Sequence, residues 1–226
     1  MFCFCSQQSQ QTHGCDVILF TGETMDNRRL AILLSGRGSN FVAIHEAIRR
    51  GDLNAEICCV ISNVADAAGL ARASEFGLTA ICMPSQGIDR VEYDRMLIKA
   101  LRSFDPALIC MAGFMRILSP ELLKAYPSRI LNMHPALLPS FPGLHAQRQA
   151  LRYGVKISGC TVHLADEGVD TGPILLQRAV DVLDGDTEET LSARILEQEH
   201  QIYWRAIAMV LDRMNAETKK MQLSAK

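Results

Sequence analysis

Between Leu30 and Ala112 the chain alternates short apolar runs with segments of helical spacing. The runs LAILL (30–34), EICCVIS (56–62), TAICM (79–83) and PALICMAG (106–113) show almost no polar alternation, the pattern of strands buried on both faces of a parallel sheet. Helices are predicted between them at Ser39–Arg50, Asp66–Phe76 and Asp89–Arg102. Gly77 follows the second as a residue free to take the left-handed conformation that ends a helix, and Asp89 with Glu92 gives the third a capping-box spacing. Four such β-α repeats predict an open, mostly parallel, doubly wound α/β sheet, Rossmann-like in its N-terminal half, with right-handed crossovers.

Beyond Ala112 the rhythm changes. A strand is predicted at Arg129–Met133, then the Pro-rich stretch HPALLPSFPG, a short helix near Gln147–Tyr153, and strands near Ile157–Ala165 and Pro173–Asp181. The final helix opens at Asp186 or Thr187 and carries apolar residues at Leu191, Ile195, Ile202, Ile207 and Leu211, close to a helical period. This makes about seven strands with helices on both faces. At about 150 residues per domain, and with no low-complexity linker, the 226 residues read as one domain spanning 28–214. Residues 1–27 show neither periodicity nor a core-sized apolar set and are expected to be a disordered extension dispensable for activity; 215–226 are expected as a C-terminal tail.

Charge narrows the partners. With 23 Lys+Arg against 25 Asp+Glu, net −2, the chain has no basic field to drive nucleic-acid binding, so any anionic ligand must be held by local geometry. No apolar run approaches the 18 or more residues of a membrane span, and the first twenty residues lack the basic region of a secretory signal, so no membrane partner and a cytoplasmic location are expected. Of eight cysteines, Cys58, Cys59, Cys82, Cys110 and Cys160 sit in apolar runs and read as small hydrophobes. No C-x-x-C pair exists, so neither zinc nor disulfides are expected.

Three segments carry candidate chemistry. The first strand runs straight into S-G-R-G-S-N (Ser35–Asn40), where a Gly-rich turn exposes backbone N–H groups at a helix N-terminus, a cradle for phosphate that needs no net positive charge. It is not a Walker loop, since no G-K-[ST] follows. Nor is it a dinucleotide fingerprint, since a third Gly is missing and Asn63 rather than an acid ends the second strand. In Ile130–Gly143, Asn132 and His134 lie two apart at a strand end and so share a face, where an amide donor beside an imidazole can hold an oxyanion and move a proton. After the Asn-x-His the chain must reverse sharply, and a cis bond is expected at Leu138–Pro139. The third segment, His163–Pro173, delivers Asp166, Glu167 and Asp170 on a loop; a carboxylate near His134 would fix its tautomer and favour its protonated form. Metal binding by His163, Asp166 and Asp170 competes, without a recognised ligand spacing.

At these segments the chain resembles the glycinamide ribonucleotide formyltransferase family (phosphoribosylglycinamide formyltransferases), folate-dependent enzymes of purine synthesis. The family pattern is matched by Ser35–Asn40, Ala112–Leu118, Asn132–His145 and Asp166–Ile174, and the likeness covers residues 30 to about 211. The resemblance implies a catalytic trio of Asn132, His134 and Asp170, ribonucleotide binding by Gly38, Ser39, Asn40 and Glu199, and no metal. It implies folate contacts, largely through backbone groups, at Arg90, Met115, Arg116, Ile117, Leu118, Ala165, Asp166, Glu167 and Gly168. It further implies 10-formyltetrahydrofolate as co-substrate, glycinamide ribonucleotide as acceptor, and a monomer or homodimer. His145 and His163 are candidates for supporting roles, whereas His45 and His200 read as helix residues without chemistry.

Related chemistries share the Asn-x-His-Pro and Asp loop. Methionyl-tRNA formyltransferase would add a tRNA-binding domain, for which the 15 residues after Leu211 leave no room. A formyltetrahydrofolate deformylase would add an N-terminal regulatory domain, for which 27 residues are too few, and a nucleotide-sugar formyltransferase is a further alternative. A non-catalytic nucleotide-binding module would have no reason to keep Asn132, His134 and Asp170 together.

Overall fold

The computed structural model describes residues 27–224, so the expected extension lies, except for Asn27, outside the described residues. Seven strands form one sheet: β1 (Arg29–Leu34), β2 (Glu56–Ser62), β3 (Ala80–Cys82), β4 (Leu108–Met111), β5 (Ile130–His134), β6 (Ile157–Leu164) and β7 (Ile174–Asp181), in the order β3-β2-β1-β4-β5-β6-β7. The first five are parallel; β6 runs antiparallel to β5, and β7 antiparallel to β6. The sheet is therefore mixed but mostly parallel.

The helices are α1 (Ser39–Arg50), α2 (Ala68–Glu75), α3 (Arg90–Arg102), α4 (Pro120–Ala125), α5 (Ala146–Tyr153) and α6 (Glu188–Ser224). Alternation along β1 shows how the two faces are filled. Leu30, Ile32 and Leu34 pack into a core with Phe41 and Ile44 of α1, Ala73 of α2 and Ile195, Tyr203 and Ile207 of α6. Ala31 and Leu33 join the opposite core with Tyr93 and Leu97 of α3 and Leu122 of α4. The continuous apolar runs of β1, β2 and β4 follow from this double coverage.

Sequence and structure differ at four places. Helix α2 starts at Ala68 rather than Asp66, the backbone at Ala67 being extended (φ −62°, ψ 116°) and outside the helix. Helix α4 has no counterpart in the periodicity: six residues are too few to display it, although the Ser119 hydroxyl accepts from the Leu122 N–H and Pro120 occupies the first turn. The strand β3 shrinks to three residues at the sheet edge. Helix α6 runs to Ser224, through the segment expected as a tail. No described helix is long and apolar enough to cross a membrane.

Strand β1 lies between β2 and β4, which are reached by helices on opposite faces, so the chain parts at the carboxyl ends of β1 and β4. Ligands of open α/β sheets bind in such a crevice.

Candidate active site

The loop after β1 turns into α1 through Gly38, at φ 71° and ψ 31°. A Cβ at Gly38 would stand 3.1 Å from both the Gly69 Cα and a Leu34 methyl, so glycine is required by conformation and by space. No side chain caps α1 and no acid occupies its first turn. Its leading N–H groups therefore face a cavity of about 800 Å³ lined by Ser35–Asn40, Gln147, Arg148, Glu188 and Glu199 among others. Asn40 donates through Nδ2 to Glu199 Oε2 at 2.7 Å, while its buried Oδ1 has no partner. Burial pushes the Glu199 carboxyl above the ordinary range, moderated by the Asn40 hydrogen bond. A helix start suited to an anion thus stands beside acceptors suited to hydroxyl groups.

The second half of the site is centred on Asp170, held at φ 56° in the left-handed region. Its Oδ2 accepts from the Gly143 N–H at 2.8 Å and lies 3.2 Å from His134 Nδ1; its Oδ1 accepts from Asn132 Nδ2 at 3.2 Å and lies 3.4 Å from His163 Nε2. His163 donates through Nδ1 to the Leu164 carbonyl at 3.0 Å, so its Nε2 can accept the other Asn132 amide hydrogen at 3.1 Å. His134 Nε2 donates to the Phe141 carbonyl at 2.8 Å. These partners fix the Asn132 amide and the His134 ring in orientation.

Burial pushes the Asp170 carboxyl up, but the surroundings made by His163, the Gly143 N–H and His134 outweigh it and leave the carboxyl below its usual value. At His134 burial opposes Asp170, which by itself favours the protonated form as the sequence leads one to expect. Desolvation of its buried ring outweighs Asp170 and the Phe141 carbonyl, so its pKa lies below the ordinary histidine value of 6.5. With Asp170 ionised and His134 neutral, the Nδ1 to Oδ2 contact is an unfilled proton position between two acceptors.

The Pro-rich turn carries the expected cis bond at Leu138–Pro139. Thr161 of β6 anchors the turn, donating to the Ala136 carbonyl at 2.6 Å and accepting from the Leu138 N–H at 3.1 Å. In the Asp loop, Asp166 accepts from the Gly168 N–H and the Thr171 hydroxyl instead of facing the trio. Among the described residues no group of three or more His, Cys, Asp or Glu side chains converges as metal ligands would.

A second cavity, of about 630 Å³, contains Asn132, His134 and Asp170 together with Met115–Leu118 and Ala165, Asp166 and Gly168. It shares Gly113, Met115, Met133, Pro135 and Gln147 with the first cavity. The two spaces meet beside the trio. Ser35 ties them, donating to Asn63 Oδ1 at 2.5 Å and accepting from the Met115 N–H at 2.8 Å. Such an arrangement can place a phosphorylated amine in one cavity and an acyl donor in the other, with an acid–base pair and an amide donor between them.

The "Formyl transferase" family model matches residues 28–207. The chain belongs to the formyl transferase family. This formyl transferase is 47% identical over 186 residues to the trifunctional purine biosynthetic protein adenosine-3 of Drosophila pseudoobscura pseudoobscura, covering 81% of this chain but 14% of that protein. It is 42% identical over 184 residues to the phosphoribosylglycinamide formyltransferase of Escherichia coli (strain K12), covering 81% of this chain and 87% of that protein. Its fold is similar to the crystal structure of glycinamide ribonucleotide transformylase 1 from Symbiobacterium toebii, with TM-score 0.81 and 47% identity over 83% of this chain and 89% of that one.

In this formyl transferase Gly38, Ser39, Asn40 and Glu199 line the first cavity, and the trio lines the second with most of the residues expected to meet folate. Two expected residues are not brought there: Arg90, exposed at the start of α3, and Glu167, exposed on the Asp loop, line neither cavity. His145 lines the second cavity without touching the trio. Sequence reasoning missed the Phe141 carbonyl and the Gly143 N–H, which are backbone groups without a side-chain signal. It also missed Tyr203, whose buried hydroxyl donates to the Met111 carbonyl at 2.9 Å and lies 3.1 Å from that of Leu131, pinning α6 to β4 and β5.

Proposed function

We propose that the chain transfers the formyl group of 10-formyltetrahydrofolate to the amine of glycinamide ribonucleotide, giving formylglycinamide ribonucleotide and tetrahydrofolate in purine synthesis. The observation that carries this reading is that the cavity lined by Asn132, His134 and Asp170 adjoins the Ser35–Asn40 cavity through shared Met133 and Pro135. The ribonucleotide phosphate sits at Gly38–Asn40 and its ribose hydroxyls meet Asn40 and Glu199. The folate lies along Met115–Leu118 and Ala165–Gly168, held mainly by backbone groups. The acceptor is a small molecule, and the chain acts as a monomer or homodimer.

The amine attacks the formyl carbon, a C–N bond forms, and the carbonyl oxygen becomes an oxyanion. An Asn132 amide hydrogen turns from its 3.2 Å contact with Asp170 to that oxygen. The attacking nitrogen loses a proton to the open position between Asp170 and His134, making an imidazolium balanced by the carboxylate 3.2 Å away. Because burial keeps this pKa low, the imidazolium is a stronger acid than an ordinary histidine, suited to protonate the departing folate nitrogen as its bond to the formyl carbon breaks. Atoms and charge balance without a metal or redox step.

The reading is tested by following tetrahydrofolate release while glycinamide ribonucleotide is varied. Release should rise hyperbolically with the acceptor and vanish without it; release at the same rate in water alone would replace this reading with hydrolysis.

A further inference from the structure

The ribonucleotide cavity sets a charge problem that the backbone cradle alone does not solve. Its lining carries three carboxylates, Glu188, Glu189 and Glu199, and two cations, Arg37 and Arg148. Arg148 is committed elsewhere: its Nε donates to Glu188 Oε2 at 2.8 Å. Glu199 is pushed toward its neutral form by burial, yet Glu189 and the Arg148–Glu188 pair leave no surplus positive charge for a phosphate dianion. Arg37 is the exception. It is exposed on the S-G-R-G-S-N turn, one residue before the Gly38 cap, and among the described residues it has no hydrogen-bond or ion-pair partner. The unpartnered Oδ1 of Asn40, buried in the same cavity, marks where a hydroxyl donor would complete the site.

We infer that the Arg37 side chain is a phosphate-binding and specificity-determining residue, closing over the acceptor's phosphate from the side opposite the α1 N–H groups. This rests on the proposed ribonucleotide site and adds to it a side-chain contact. The guanidinium matches phosphate in a bidentate fork, and a charge-assisted contact of this kind discriminates phosphorylated from unphosphorylated acceptors. Its position on a turn whose conformation is set by Gly38 keeps the cation beside the helix start without burying it when the site is empty.

The test compares wild type, Arg37→Ala and Arg37→Lys with glycinamide ribonucleotide and with its dephosphorylated riboside, at low and high salt. Arg37→Ala should raise the KM for the ribonucleotide roughly tenfold to a hundredfold, as expected for losing a hydrogen bond to a charged group. The KM for the folate donor should not follow. Arg37→Lys should recover part of the loss, and the salt dependence of the ribonucleotide KM should be weaker in Arg37→Ala than in wild type. An unchanged ribonucleotide KM in Arg37→Ala, or an equal rise for ribonucleotide and riboside, overturns the inference while leaving the function reading intact. Absence of ribonucleotide turnover in wild type overturns the function reading itself.

Discussion

Replacing Asp170 by Asn probes the pair on which the proton route depends. The substitution keeps shape and one acceptor oxygen, which stays with the Gly143 N–H, 2.8 Å from the carboxylate in wild type. It removes the charge that faces His134 Nδ1 at 3.2 Å. At an effective dielectric of about 20, two unit charges at that separation attract by about 5 kcal/mol. This attraction exists only once the imidazolium has formed, so its loss falls on the transition state, and at 1.36 kcal/mol per decade it corresponds to nearly four decades of rate. The amide dipole recovers part of this, so kcat should fall by about 10²–10⁴. The new amide would also point a donor at Asn132 Nδ2, now 3.2 Å from the carboxylate, and loosen the oxyanion donor. Steady-state kinetics with both substrates saturating measures the effect, with thermal unfolding as the control for folding. The pH profile supplies a second reading. The pair accepts the amine's proton only when His134 is neutral, so activity falls on acidification through a value below 6.5. Since Asp170 raises that value, Asn should move the acid limb to lower pH. Turnover within tenfold of wild type, or an acid limb moved upward, would refute the reasoning.

Two further substitutions test the supporting structure. Glu199 has its pKa raised in the folded chain, so the stability it contributes is complete below its unfolded value of about 4.5 and is lost as pH rises through the folded value. Glu199→Gln keeps an acceptor for the Asn40 amide without this loss, so its excess thermal stability over wild type should grow as pH rises above 4.5; a constant difference across pH 5–8 would contradict the assignment. At Gly172 a Cβ would collide with the Leu164 backbone carbonyl, which cannot yield without moving β6, so Gly172→Ala should cost about 1–3 kcal/mol in chemical denaturation and displace Asp170 enough to lower turnover. Unchanged stability with full turnover would show that the Asp loop is less constrained than its packing indicates.

Elements carrying one repeated signal were legible in the sequence. Ser39–Arg50 is found where its spacing places it, and α3 where its spacing and the Asp89 cap place it, because these signals are local. The antiparallel entry of β6 and the length of α6 were not, since both are decided by tertiary packing. Within the site, Asn132 and His134 were legible from strand alternation. Their convergence with Asp170 depends on a contact 38 residues apart and on His163 lying across from Asn132 on the neighbouring strand. The protonation of His134 was the least legible feature, because a nearby carboxylate and burial act in opposite directions and only the folded environment decides between them.

The central claim concerns where the formyl carbon goes. With a ¹³C-labelled formyl group on 10-formyltetrahydrofolate, glycinamide ribonucleotide and catalytic amounts of the chain, the label should appear as the formamide carbon of the acceptor in step with tetrahydrofolate, one for one. Label appearing instead as free formate, at a rate indifferent to the acceptor, would contradict the account.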